Sequence, residues 1–248
     1  TWYRPDNATL IVAGRIDPTA TLNTVQRHFG KLARPKAALP KSYTVEPAQD
    51  GEREVNVRRT GDAGFVALAY HTPGTPHPDS AALAVLMNAL GDAPSGRLHK
   101  ALVETKLAAF AGGGNSDMRE SGMTNLILVA PKDADIAKAE AELIRQAESV
   151  ITASPLSADE VAQAKQRIAN AYENGFANVN SVAMALTESV AAGDWRLYFL
   201  KRDRIAAVTV DDVNRVARTY FKASNRTLAR FIPTEKPERV EIAAAPVA

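Results

Sequence analysis

Cysteine is absent from the 248 residues. That single absence excludes disulfides, thiolate zinc sites, iron–sulfur clusters and cysteine nucleophiles together. It leaves the compartment open, since a cysteine-free chain suits an oxidising periplasm as well as a reducing cytosol. No apolar run reaches the roughly 18–20 residues of a membrane span. Neither sign of charge dominates: 30 Lys+Arg stand against 28 Asp+Glu, a net charge of +2. So small an excess does not point to nucleic acid or a membrane surface as partner. An initiator Met and a basic-plus-apolar leader are also missing before Thr1-Trp2-Tyr3-Arg4-Pro5, which reads as a piece of a longer polypeptide. What is present is an alanine-rich chain, 46% apolar, with side chain enough to offset ordering entropy. Its length allows one large domain or two small ones.

The run 8–13, Ala-Thr-Leu-Ile-Val-Ala, reads as a buried strand stopped by Gly14. Asp17-Pro18 then supplies an N-cap and a proline at the first helical position, and the helix ends at Phe29-Gly30. From 31 to 51 the prolines 35, 40 and 47 predict an extended linker between two domains. Beyond it, 54–58 alternates as a half-exposed strand does, and 65–70 is apolar on both faces like a central strand. A buried helix is expected over 79–90, a short one over 96–105, and strands over 108–114 and 123–130. Residues 136–150 carry an apolar stripe at helical spacing. Ser157-Ala158-Asp159-Glu160 is a capping box opening the next helix. Helices over 181–192, 195–206 and 209–221 and a strand over 227–232 complete the order. This is an α+β pattern: a mainly antiparallel sheet with helices packed on one face. The expected division is 1–45 as the end of one domain plus linker, 46–235 as a complete second domain, and 236–248 as a Pro/Ala-rich tail.

The residues offer little chemistry of their own. His28, His71, His77 and His99 include no pair three or four apart on a helix, the spacing that aims two imidazoles at one ion. His71 and His77 flank a proline loop near Asp79, the one place where a loop metal site is conceivable. His28 precedes a helix C-cap, where the dipole favours a cation, and His99 reads as a surface residue. Ser95-Gly96 lacks the strand–elbow–helix setting of a hydrolase nucleophile. Gly112-Gly113-Gly114 lacks the Lys-Ser/Thr of a phosphate loop; it reads as a strand end of close backbone approach or a mobile turn. Asp133, Asp135, Glu140, Glu142 and Glu148, mixed with Lys132, Lys138 and Arg145, form an ordinary solvated helix face.

Four stretches, in order over about 220 residues, carry a resemblance. They are Tyr3-Arg-Pro-Asp-Asn through Gly14 with Asp17 and His28-Phe29-Gly30; Phe65 to Tyr70 with Pro73-Gly74, Asp79 and the helix after it; Ser95-Gly96-Arg97-Leu98 through Leu102; and Arg202 to Tyr220 with its Val-Thr-x-x-Asp-Val core. Together they resemble the pitrilysin/insulinase-type (M16) zinc metallopeptidases. The resemblance implies two similar α+β domains per half-molecule, and two halves closing like a clamshell on a peptide. It places zinc on an inverted His-x-x-Glu-His helix plus a later Glu in the first domain, upstream of Thr1, so that this chain itself holds no metal. In the metal-free half of such proteins the pattern Leu-Arg-Glu-x-Lys-x-x-x-Tyr supplies an Arg and a Tyr to the substrate. Here those positions are Val103 and Phe110, and neither donates a hydrogen bond to a carbonyl or oxyanion.

The implied function is therefore non-catalytic. The chain would supply chamber wall and half–half interface to a zinc-dependent endopeptidase, with peptide or unfolded polypeptide as substrate. The second half would belong to the same chain or to another subunit, and the periplasm is the compartment of exported relatives. The backbone of Gly112, Gly113 and Gly114 is the candidate contact to extended substrate. The alternative is a metal-free structural or assembly subunit of the same family. A small-molecule-binding domain has no motif in its support.

Overall fold

The structure, a computed structural model, describes residues 1–41, 47–116, 118–131 and 134–240. The middle of the expected linker with its boundary near 46, Lys132 and Asp133 of the charged helix face, and the tail beyond 240 lie outside the described residues.

The sheet is built from β1 (Arg53–Arg59), β2 (Ala63–Pro73), β3 (Phe110–Ser116), β4 (Ser121–Pro131) and β5 (Arg226–Pro233), in the spatial order β1-β5-β2-β4-β3. Only β1 and β5 run parallel; the β5–β2, β2–β4 and β4–β3 ladders are antiparallel. Along β2 burial alternates strictly: Val66, Leu68 and Tyr70 are covered, while Phe65, Ala67 and Ala69 are half-exposed. The apolar run over 65–70 thus marks a central strand buried on one side only, because the helices that make contact with the sheet lie on one face of it.

On that face sit α2 (Asp79–Gly91), α3 (Ile136–Ser149) and α7 (Val210–Tyr220), with α4 (Ala158–Phe176), α5 (Val179–Ala191) and α6 (Leu197–Ala207) further out. The core between layers joins Val66, Leu68, Leu126 and Leu128 of the sheet to Val85, Leu86 and Leu90 of α2, Leu143 of α3 and Val216 of α7. Each such side chain, removed from water, contributes about 1.5–3 kcal/mol. The caps are where the sequence places them. Ser157 and Glu160 form the box at α4, and Thr209 with Asp212 repeats it at α7. Asn178 caps α5 through bonds from Asn180 and Ser181 N–H, moving its start two residues ahead of the expected one.

Three sequence readings are corrected. The run 8–13 is not a buried strand: no described residue forms a ladder with it, and Leu10 and Val12 are about half exposed. An apolar run becomes a strand only where a second backbone supplies hydrogen bonds. The helix after it, α1 (Pro18–Phe29), forms as expected, with Asp17 accepting from Ala20 N–H at 2.8 Å, but buries none of its residues. The short helix over 96–105 is instead a π-helical turn, His99–Val103, whose wider ring is closed by Glu104 N–H donating to His99 C=O at 3.1 Å. His99 on that turn is half-buried rather than a surface residue.

The chain enters the sheet through a clamp. Gln49 Nε2 donates to Arg226 C=O at 2.7 Å, Gly51 N–H to Ser224 C=O at 3.0 Å, and Glu52 pairs with Arg226 at 2.5 Å.

Candidate functional site

The glycine-rich segment is the edge strand of the sheet. Ala108 N–H donates to Leu102 C=O and Ala109 N–H to Val129 C=O, so the chain closes its turn before joining the ladder. The strand therefore starts at Phe110 rather than 108. Its register against β4 pairs Gly112 with Ile127, Gly113 with Leu126 and Gly114 with Asn125.

The three glycines differ in what they permit. A Cβ on Gly113 would stand 2.6 Å from Met87 Cε and 2.7 Å from Asn125 C=O. A Cβ on Gly91, at the end of α2, would stand 2.4 Å from Gly113 N. Gly91 and Gly113 thus let helix and strand backbones touch, the close approach expected of strand glycine. At Gly112 a Cβ would meet the Phe110 ring at 3.0 Å, while at Gly114 it would meet nothing within 4 Å. Gly112 is buried and Gly113 and Gly114 are exposed, but of the three Gly114 alone has no neighbour that requires glycine.

Val103 and Phe110 flank this edge. Val103 ends the π-helical turn, half-buried against the core. Phe110 opens β3, 47% exposed. The chain between them turns at Lys106, which adopts the left-handed φ of 64°, uncommon for a residue with a side chain.

Zinc finds no fitting donor set. Among the described residues no group of three His, Asp or Glu side chains is gathered. The Asp79 carboxylate beside His77 is already engaged. Asp79 accepts from Arg215 at 2.7 Å and from Tyr220 O–H at 2.7 Å, and the Arg215 bond chiefly holds it below the usual carboxylate range. Asp79 N–H in turn donates to His77 Nδ1 at 3.1 Å. Burial, reinforced by the bond to Asp79, pushes the Tyr220 phenol up to about 12. Ser95 Oγ donates to Asp92 at 3.3 Å, and that carboxylate is paired with Arg167 at 3.0 Å.

The remaining motif residues hold the fold together. Arg97 grips Glu160 with a fork at 2.6 and 2.8 Å and donates to the Ser154 and Pro155 carbonyls. That hydrogen bonding, outweighing burial, lowers the Glu160 carboxyl to about 2. The charged face of α3 is not simply solvated: Glu140 binds Arg230 at 2.5 Å and Glu148 binds Arg226 at 3.2 Å, tying helix to β5. Helical spacing marked those acids as outward-facing, but their partners lie about 80–90 positions further along the chain, beyond any local pattern.

The site as it stands is a sheet edge with a left-handed turn beside it, and among the described residues no metal-holding cluster is gathered. A family model described as the peptidase M16 inactive domain matches residues 1–168. The chain belongs to the peptidase M16 family. It is 30% identical over 247 residues to the zinc protease PqqE of Helicobacter pylori, covering 94% of this chain and 53% of that protein. The crystal structure of a protease from Helicobacter pylori superposes with a TM-score of 0.87 at 25% identity, over 93% of this chain and 56% of that one. The inactive peptidase domain solved from Bordetella parapertussis is 39% identical, with a TM-score of 0.65, over 75% of this chain and 99% of that one. The chain spans about half the length of the curated M16 relatives it matches. Among the described residues no helix is long and apolar enough to cross a membrane.

Proposed function

We propose that the chain is the non-catalytic second-domain portion of a zinc-dependent M16 endopeptidase, forming chamber wall and half–half interface. Residues 1–45 belong to the end of the first domain and 46–235 to the second. Zinc, held by a first domain outside this chain, is the metal of the whole protein, and peptides or unfolded polypeptides are its substrates. Val103 and Phe110 occupy the positions of the substrate-contacting Arg and Tyr, so this domain belongs to the metal-bearing half. The periplasm is the compartment we assign, on the resemblance to exported bacterial members.

The observation that carries this reading is the position of β3 at the end of the sheet, with Gly114 exposed there and no side chain above it. An extended polypeptide adding to that edge would be held by main-chain hydrogen bonds, which recognise no particular sequence. The test is hydrogen exchange of this chain with and without a reduced, unfolded polypeptide. Protection confined to the amides of 112–116, lost in Gly114→Pro, supports the edge. Protection elsewhere, or none, refutes it. The role of the parent is tested by the sequence preceding Thr1 in the intact protein: a His-x-x-Glu-His helix there fits a peptidase, and its absence fits the assembly-subunit alternative.

A further inference from the structure

The sheet ends in two edge strands of different chemistry. β1 is guarded: Arg53, Glu54, Arg58 and Arg59 make up four of its seven residues, and charged side chains along an edge deter a further strand. β3, Phe-Ala-Gly-Gly-Gly-Asn-Ser, carries no charge. Every second residue of an edge strand turns its N–H and C=O away from the one ladder it has. An uncharged edge is open to another extended backbone, about 4.8 Å beyond it, which is the hold proposed above. Main-chain bonds alone accept any sequence.

The side chains behind that edge do discriminate. The ladder registers line up one row on the sheet face away from the helices: Val57 beside Phe231, Phe231 beside Phe65, Phe65 beside Val129, and Val129 beside Phe110. The next positions along the strands, Val66 and Leu128, are fully buried on the helix side. In the row itself Val57 and Phe110 are exposed and the three between them half-buried. Five apolar side chains thus run from strand to strand, and the row stops at Phe110 because β3 is the last strand. The Phe110 ring leans along β3 over Gly112, where a Cβ would meet it at 3.0 Å. Further on, Gly114 offers no side chain and is paired with Asn125. A residue set opposite Phe110 by an incoming strand would have its Cβ about 4.5–5.5 Å away and would continue the row. Aromatic and β-branched side chains pair favourably there, whereas a carboxylate would lose water against apolar surface without a partner.

We propose that Phe110 is the specificity-determining residue of this edge. The polypeptide accepted is one that sets an aromatic or β-branched side chain opposite it, while the residue opposite Gly114 goes unselected. Segments of that composition are interior strands in a folded protein, so the ligand class is a polypeptide whose core is exposed. The inference rests on the edge reading above and adds a sequence preference to it.

The test is fluorescence anisotropy of the full chain with short labelled peptides of Ser, Gln and Lys, identical but for one central Phe, Val, Ser or Asp, with hydrogen exchange on each complex. The Phe and Val peptides should bind about fivefold more tightly than the Ser peptide, as a cross-strand aromatic pair allows, and the Asp peptide least tightly. Phe110→Leu should keep that order. Phe110→Ser should bring the Phe and Val peptides down to the Ser peptide, with the circular dichroism unchanged because the ring is 47% exposed. The amides of 112–116 should be protected in the complexes of both wild type and Phe110→Ser. Equal affinities with 112–116 protected, or a preference that survives Phe110→Ser, overturns this proposal and leaves the edge reading standing. Protection elsewhere, or none with any peptide, overturns both.

Discussion

Replacing Arg97 by alanine would remove the bolt that joins the π-helical turn to the start of α4. The guanidinium is 16% exposed and the Glu160 carboxylate 33%, so the pair sits at the boundary between surface and interior. Holding Glu160 near 2 instead of its ordinary 4.5 corresponds to about 3 kcal/mol if carried wholly into folding. Screening at a carboxylate one-third exposed reduces that to about 1–2 kcal/mol. The Ser154 and Pro155 carbonyls lose a donor as well, adding about 1 kcal/mol. Arg97→Ala should therefore cost about 2–3 kcal/mol, or roughly 5–10 °C in Tm for a chain of this size. The pH dependence follows from the sign of the shift. A carboxyl held lower in the folded state than in the unfolded one contributes stability above about pH 4.5 and loses it as the pH falls toward 2. Urea unfolding of wild type, Arg97→Ala and Glu160→Gln at neutral pH and at about pH 3 measures both quantities. The wild type should lose more stability on acidification than either variant. A cost at neutral pH below about 0.5 kcal/mol, or the same acid loss in all three proteins, would refute the assignment.

Gly113→Ala and Gly91→Ala should each destabilise by about 1–3 kcal/mol through overpacking, whereas Gly114→Ala stays within about 0.5 kcal/mol in the same denaturation assay. An equal cost at 113 and 114 would contradict the helix–strand contact. Tyr220→Phe leaves Asp79 with Arg215 and should cost about 1 kcal/mol. Spectrophotometric titration should lose one of the phenols that ionise near pH 12. Because the folded pKa is raised, the Tyr220 contribution is complete below pH 10 and disappears as the pH climbs through 12.

Local signals made most of the fold legible. Asp17-Pro18, the Ser157 box, the helix start at Thr209 and the alternation around 54–58 each depend on residues within one or two turns, and each marks an observed element, although β1 is exposed along its whole length rather than on one face. The reading of 8–13 went astray because hydrophobicity does not say whether a partner strand exists. The π-helical turn has the apolar spacing of an α-helix at Leu98 and Leu102, both fully buried, and nothing in that spacing distinguishes the two ladders. At the candidate site, the glycine run was visible but not its division of labour: only Gly91 and Met87 on α2, brought against β3 by the fold, separate Gly113 from Gly114. Asp79 and Tyr220 stood in different motifs, and their meeting at 2.7 Å depends on α2 and α7 packing side by side.

The strand order also determines when the domain can be completed. β5, the last of the described strands, lies between β1 and β2, so the sheet has a vacant lane until residues 226–233 arrive. During synthesis β1 must wait through more than half the chain for the neighbour that pairs with it. A ribosome paused before 226, or a protease cutting in 223–225, leaves β1 without a ladder and β2 with one open flank. Such sequence-distant pairing is slow to form. The domain therefore keeps β1 unpaired and β2 open on one flank for longer than a sheet of sequential hairpins would, a state prone to aggregation.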